Sequence, residues 1–161
     1  MFVGKSENKI DRKGRVSVPH AFRLALGPQI SDGLVVYKSI RDNAIEACGL
    51  DFLERINATL LEKMNESMES LNAFSIDHND LATNVFGGSD PLSFDSEGRV
   101  NLPAELTEFA GITDRAAFVG KGPIFQIWEP EALKQHMEEA RNRARAAAKD
   151  RTPRAPGGAT P

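Results

Sequence analysis

Asp11-Arg12-Lys13-Gly14-Arg15-Val16-Ser17-Val18-Pro19 recurs further along the chain as Asp95-Ser96-Glu97-Gly98-Arg99-Val100-Asn101-Leu102-Pro103, with Asp, Gly, Arg, Val and Pro at the same offsets. Each copy encodes the same local structure. Asp and Gly occupy the first and fourth positions of a type I turn, where each is favoured. The Asp carboxylate is placed to accept hydrogen bonds from the turn amides. Arg-Val-Ser-Val and Arg-Val-Asn-Leu then alternate polar and apolar, the period of a half-buried strand. This alternation turns Val16, Val18, Val100 and Leu102 inward and Arg15, Ser17, Arg99 and Asn101 outward. Proline closes the strand and can open a helix at its first position.

The same elements follow each copy. His20–Leu26 and Ala104–Ala110 read as short helices, because Phe22 and Leu26, like Leu106 and Ala110, lie four apart on one face. Gly27 and Gly111 stand where C-caps belong. Strands expected over 34–37 and 44–47 are matched by strands over 117–120 and 124–128. Each half ends in a helix. The first, over 51–71, places Leu53, Ile56, Leu60 and Met64 on one apolar stripe. The second starts at Pro130, carries Leu133, Met137 and Ala140, and runs into an Arg/Ala-rich stretch over 141–151. Residues 77–90, with Gly87-Gly88, read as the loop between the halves, and the Pro/Gly-rich residues 152–161 as a disordered tail. An element repeated once points to a duplicated domain and an internal pseudo-dimer. Pieces of half this 161-residue chain bury little surface alone, so the halves are expected to share one core.

Hydrophobic residues make up 40% and charged residues 27%, ordinary for a globular protein. No stretch reaches the length of a transmembrane helix. Met1-Phe2-Val3-Gly4-Lys5 lacks the apolar run of a signal peptide. The single cysteine, Cys48, permits no internal disulfide and suits a reducing cytosol. The net charge of −3 argues against a polyanionic partner until its distribution is read. Residues 1–27 carry six cations (Lys5, Lys9, Arg12, Lys13, Arg15 and Arg23) against Glu7 and Asp11, whereas residues 28–94 carry eleven acids against four cations. Local potential, rather than total charge, steers a polyanion.

At this point the chain resembles the MraZ family of bacterial transcriptional regulators, built from two SpoVT/AbrB-type domains. The resemblance rests on Met1-Phe2-x-Gly4, both copies of the repeated phrase, Phe22-Arg23, Ala110-Gly111, Phe118-Val119-Gly120 and Ile127-Trp128-Glu129, and it runs to about Ala140. It implies an α+β fold of two swapped-hairpin, AbrB-like halves forming an intramolecular pseudo-dimer, each half followed by a helix. It places a first domain at 7–54, with its helix continuing to about 72, and a second at 83–131, with its helix continuing to about 150. It further implies ring-like homo-oligomers in the cytoplasm and on the nucleoid. Their target would be short direct repeats in promoter DNA upstream of the protein's own gene, at the head of a division and cell-wall cluster, usually with repression as the result. The family's Asp-x-x-x-Arg arginine, central to DNA binding, falls on Arg15.

The residues give that role a chemistry. Lys9, Arg12, Lys13 and Arg15 lie on and beside one tight turn, and cations near phosphate supply most of the affinity for DNA through counterion release. A two-stranded ribbon fits the major groove. Arg15 suits guanine through its planar fork, while Arg12 and Lys13 suit phosphate. Asp11 and Gly14, like Asp95 and Gly98, are expected to hold their turns rather than touch DNA, with Asp11 also orienting Arg15. Because the second copy replaces Arg12-Lys13 with Ser96-Glu97, Arg99 is expected to bind DNA more weakly or to stitch the halves together.

Other features support plainer readings. His20, His78 and His136 lack metal-ligand spacing, and His136-Met137-Glu138-Glu139 lacks the second histidine of a zinc-protease helix. Cys48 has no activating basic neighbours in sequence and reads as a core thiol. Gly120-Lys121-Gly122 lacks Walker spacing and reads as a hairpin turn. Trp128 reads as core or subunit interface, and the run over 141–151 as a solvated helix end. No metal, cofactor, membrane, small-molecule substrate or enzymatic reaction is expected. An AbrB-like antitoxin and a structural ring without a DNA role remain as alternatives.

Overall fold

The computed structural model describes residues 1–69 and 76–151. The first half comprises β1 (Lys5–Lys9), β2 (Arg15–Ser17), α1 (His20–Leu26), a hairpin of β3 (Leu34–Lys38) and β4 (Ile45–Cys48), then α2 (Leu50–Glu69). After α3 (Ile76–Ala82), the second half repeats the order. It runs through β5 (Asp90–Leu92), β6 (Arg99–Asn101), α4 (Ala104–Ala110), a hairpin of β7 (Arg115–Gly120) and β8 (Phe125–Trp128), and α5 (Pro130–Arg151). From Glu131 onward α5 belongs to a compact unit separate from Met1–Pro130. Its side chains over 141–151 are all exposed.

The two copies of the repeated phrase pair with each other. β2 and β6 form a two-stranded antiparallel ribbon in which Val16 faces Val100, Arg15 faces Asn101 and Ser17 faces Arg99. This register is its own mirror under exchange of the halves, so an approximate two-fold axis passes through the Val16–Val100 pair. The six-stranded sheet obeys the same axis, with order β1-β7-β8-β4-β3-β5 and every pair antiparallel. β4 and β8 meet at its centre. β1 leaves its own half to edge the second half's hairpin, and β5 leaves its half to edge the first half's hairpin. The halves are therefore swapped, as the resemblance implied.

The core draws on both halves. Val16, Val18, Phe22, Val36 and Ile45 from the first pack in one cluster with Val100, Leu102, Phe118, Phe125 and Ile127 from the second. Phe2, Phe22 and Phe125 meet ring to ring at 4.9–5.6 Å, a spacing typical of favourable aromatic pairs. A second, smaller cluster gathers Tyr37, Cys48, Leu53 and Val85, with Ile56 and Phe52 packed against it. It seats the first turns of α2 and explains the apolar stripe beginning at Leu53.

The helices α1 and α4 have the bounds their sequence suggested, each following a proline and each capped by a glycine with positive φ (Gly27 +59°, Gly111 +67°). Three expectations are corrected. First, residues 77–90 are not a loop: α3 runs from Ile76 to Ala82 and passes into a π-helical turn at Thr83–Gly87. Val85 is buried in the smaller cluster, which anchors that turn, and the Asn84 side-chain amide donates to the Asp80 carbonyl at 2.8 Å. Second, β1 and β5 are strands although neither alternates in hydrophobicity; both are sheet edges, where the hydrogen-bonded partner rather than a buried face sets the conformation. Third, Gly27–Asp32 forms a 3-10 turn. Positions 70 and 71 of the expected α2 helix, and the whole tail over 152–161, lie outside the described residues.

Val16 and Val100 are 0% and 1% exposed and face one another. Val16→Ala and Val100→Ala are each expected to cost about 2 kcal/mol, from two methyl groups removed and an imperfectly closed cavity. Because the two share one cavity, the double variant should depart from the sum of the singles by more than ~0.5 kcal/mol. Urea unfolding of the four proteins measures this, and strict additivity would contradict the shared contact.

Candidate nucleic-acid interface

Each turn is built by its aspartate. In the first, the Gly14 amide donates to the Asp11 carbonyl at 3.0 Å and closes the turn. Asp11 Oδ1 accepts from the Lys13 and Arg15 amides, both at 2.9 Å. Asp11 Oδ2 accepts from Arg15 Nε at 2.6 Å. One carboxylate thus fixes both the backbone of the turn and the direction of the guanidinium. The second turn repeats the arrangement: Asp95 Oδ1 accepts from the Glu97 and Arg99 amides, and Asp95 Oδ2 from Arg99 Nε at 2.8 Å. Gly14 and Gly98 have φ of +83° and +74°, a region that strains any residue with a Cβ.

Each turn is also clamped by the other half. Gly98 O accepts from the Val18 amide at 3.2 Å, and Gly14 O accepts from the Leu102 amide at 2.9 Å. The turns therefore stand beside the ribbon's two ends and are ordered only when the halves have paired.

The electrostatics of the turns differ. Lys9, Arg12 and Lys13 are exposed, and among the described residues none of them forms an ion pair. The side chain of Arg15, 39% exposed, is paired with Asp11 only. That of Arg99, 29% exposed, is held twice, by Asp95 and by Glu97, whose carboxylate lies 3.2 Å from an outer guanidinium nitrogen. Its pKa is raised, first by the Asp95 hydrogen bond, with the fields of Glu97 and Asp11 adding. The structure thus brings Arg12, Lys13 and Arg15 together on one turn with Lys9 at the end of the strand leading to it, and it sets Arg99 on a separate, more acidic turn. The Asp95–Arg99 pair is not buried, contrary to a purely internal stitch.

One cation at this ribbon was not singled out from the sequence. Arg23 of α1 lays its guanidinium against Gly98, the glycine of the second turn. Only its place four residues after Pro19 hinted at this, since a helix turn returns that side chain toward the strand end.

The remaining chemical residues have structural places. Cys48 is fully buried, and burial, with Asp51 and Glu46 adding, pushes its thiol up to about 12. Trp128 is buried and its indole N–H donates to Gln126 Oε1 at 3.0 Å. Lys121 N donates to Ile124 O at 2.9 Å, closing a hairpin turn over Gly120-Lys121-Gly122. Among the described residues no helix is long and apolar enough to cross a membrane.

A paired ribbon with one Asp-turn-Arg clamp at each end, on a sheet of exchanged edge strands, defines the class: a tandem AbrB-like protein folded as its own dimer. Comparison with known proteins narrows this. A family model described as "MraZ protein, putative antitoxin-like" matches residues 85–154. A Rickettsia bellii protein named Transcriptional regulator MraZ is 45% identical over 137 residues, covering 85% of this chain and 86% of the relative. Proteins of the same name from Rickettsia akari and Rickettsia rickettsii are 41% and 40% identical over 140 residues, covering 87% of this chain and 89% of each relative. The chain belongs to the MraZ family.

Two outcomes follow from the geometry. Asp11 and Asp95 are held below the usual carboxylate value of 3.8, first by the amides of Arg15 and Arg99, then by the arginine side chains and the amides of Lys13 and Glu97. A folded-state pKa below the unfolded one gives stability that is complete above the unfolded value and is lost as pH falls through the folded value. The turns should therefore hold at neutral pH and open only below about pH 4, seen as movement of the Lys13 and Arg15 amide resonances; Asp11→Asn should remove that transition from the first turn. Cys48 should resist iodoacetamide at pH 8 in the native protein and react fully in guanidinium, and equal rates in the two states would contradict its burial.

Proposed function

We propose that this chain is a sequence-specific, DNA-binding transcriptional regulator that represses from short direct repeats upstream of its own gene, at the head of a division and cell-wall cluster. The observation that carries the reading is the first turn. Asp11 orients Arg15 outward through Oδ2, and Arg12 and Lys13 stand exposed beside it without acid partners among the described residues. An oriented guanidinium flanked by unpaired cations is a fit to a base edge between phosphates. The relatives' shared name, Transcriptional regulator MraZ, supports the same reading.

The reading has further parts. Copies assemble into a ring-like homo-oligomer, which presents the basic turn many times and gains avidity without new contacts. Double-stranded DNA with repeated boxes is the partner, and the protein works in the cytoplasm on the nucleoid. No enzymatic step is assigned. The antitoxin reading would require a toxin that co-purifies, and the scaffold reading would require indifference to promoter DNA.

Footprinting on the DNA upstream of the gene tests the proposal. Wild type should protect repeated boxes, and binding should weaken steeply with salt. Arg15→Ala should nearly abolish protection while the oligomer persists on a sizing column; unchanged protection would refute the role of Arg15. Lys13→Ala should lower the slope of log K against log salt by roughly one. Arg99→Ala should weaken binding less than Arg15→Ala, because Glu97 and Asp95 already engage its guanidinium.

A further inference from the structure

The second turn lacks cations of its own beyond Arg99. Its two free positions hold Ser96 and Glu97 where the first turn has Arg12 and Lys13. Taken alone, it would meet phosphate with two carboxylates and one guanidinium.

The structure supplies a charge from elsewhere. Arg23 lies on α1, which begins just after β2 of the first half. Its Nε donates to the Val18 carbonyl at 3.1 Å. Val18 is also the residue whose amide donates to Gly98 O at 3.2 Å, so one residue joins α1's arginine to the second turn. The rest of the guanidinium lies flat on Gly98. A Cβ placed there would meet Arg23 Nη1 at 2.5 Å, Cζ at 2.6 Å and Nε at 2.9 Å. Gly98 is buried, whereas Gly14 in the first turn is only half-buried. Among the described residues no carboxylate forms an ion pair with Arg23. Its side chain is thus fixed through one nitrogen, and its terminal nitrogens lie over the turn beside Arg99.

The pseudo-symmetric position shows that this is not imposed by the fold. Four residues after Pro103, where Arg23 has its counterpart, stands Thr107. Its hydroxyl donates back to the Ala104 carbonyl at 3.1 Å. Beside the first turn the result is an open groove of about 540 Å³, reaching from Lys13 and Gly14 to Asn101 and Thr107. The first turn carries its cations in the turn itself. The second has one laid over it from the opposite half.

We infer that Arg23 is a phosphate-binding residue of the second turn, lent across the pseudo-dimer by the first half, and that with Arg99 it lets this turn meet the DNA backbone despite Glu97. The inference rests on the DNA-binding reading and deepens it. A guanidinium held at Nε keeps outer N–H groups for phosphate oxygens, and phosphate contacts set position and salt dependence rather than sequence preference.

The test uses the full chain and two probes: a duplex carrying the DNA upstream of the gene, and a mixed-sequence duplex of equal length. Affinities are measured over a series of salt concentrations. Arg23→Gln should weaken binding to both duplexes by a similar factor, roughly tenfold if one charged hydrogen bond is lost, and should lower the salt slope by about 0.9. Arg23→Lys should keep the slope. Glu97→Lys, at an exposed position where folding is not at stake, should raise the slope by a similar amount. An Arg23→Gln protein with wild-type slope overturns the inference, whether its affinity is unchanged or falls, since a purely structural arginine would not alter the slope. If that variant does not fold, Glu97→Lys decides, and an unchanged slope overturns the inference. The controls separate the two levels. Wild type that ignores both duplexes, or Arg15→Ala that binds like wild type, defeats the functional reading and this inference with it. Arg15→Ala losing binding while Arg23→Gln and Glu97→Lys leave the slope alone defeats this inference only.

Discussion

The pairing of β2 with β6 about Val16 and Val100 is the contact on which the rest depends. It is short, yet it closes the core, because both valines are fully buried in the cluster shared by the halves. It also orders the turns. Each turn's glycine carbonyl receives an amide from the strand end of the opposite half, so neither turn is finished within its own half. An isolated half would keep an Asp and an Arg in sequence but lose half the backbone that holds them. Fold and recognition surface are therefore one object, and a substitution that separates the strands removes the surface as well as the core.

Within that frame the backbone obeys the two-fold while the side chains do not. The positions that build the turn are the same in both copies: the Asp that accepts three hydrogen bonds, the Gly at positive φ, and the Arg whose Nε meets the Asp. These are geometric requirements and leave little choice. The two positions between Asp and Gly are exposed in both turns, meet no such requirement, and have diverged from Arg-Lys to Ser-Glu. Exposed ion pairs add little to stability, so the Glu97–Arg99 pair matters through what it does to the arginine. A guanidinium already engaged by two carboxylates must release one before it can meet another anion, whereas Arg15 has only Asp11 to satisfy.

Much of this was legible in the sequence because it lies in local chemistry. Asp-x-x-Gly writes a turn, alternation writes a strand, and Pro followed by apolar pairs four apart writes α1 and α4. The duplication itself led to a pseudo-dimer. The edge strands were not legible. Lys5-Ser6-Glu7-Asn8-Lys9 has no buried face to impose a period, and its extended conformation comes from hydrogen bonds to β7 more than a hundred positions away. α3 was hidden by Gly87 and Gly88, which mark where the π-helical turn stops rather than a loop throughout. At the site, the roles of Asp11 and Gly14 could be read from one copy alone. The placement of Arg23 could not, because its neighbour Gly98 belongs to the other half and no spacing along the chain connects them.

The unequal turns bear on which DNA such a molecule suits. A true two-fold dimer presents equal reading elements in opposite directions, and its operators mirror that as palindromes. Here the two-fold is kept in the backbone and broken in charge: one turn carries Arg12, Lys13 and Arg15, the other Arg99 restrained by Glu97 and Asp95. An internal dimer with one strong and one weak end has a direction along the duplex. Successive copies bound in the same orientation would then favour boxes repeated head to tail over inverted ones. Fusing two halves into one chain is what permits this, since only a duplicated sequence can let one turn diverge while the other stays basic. The proposed direct repeats are thus the arrangement of DNA that suits a dimer whose symmetry stops at its side chains.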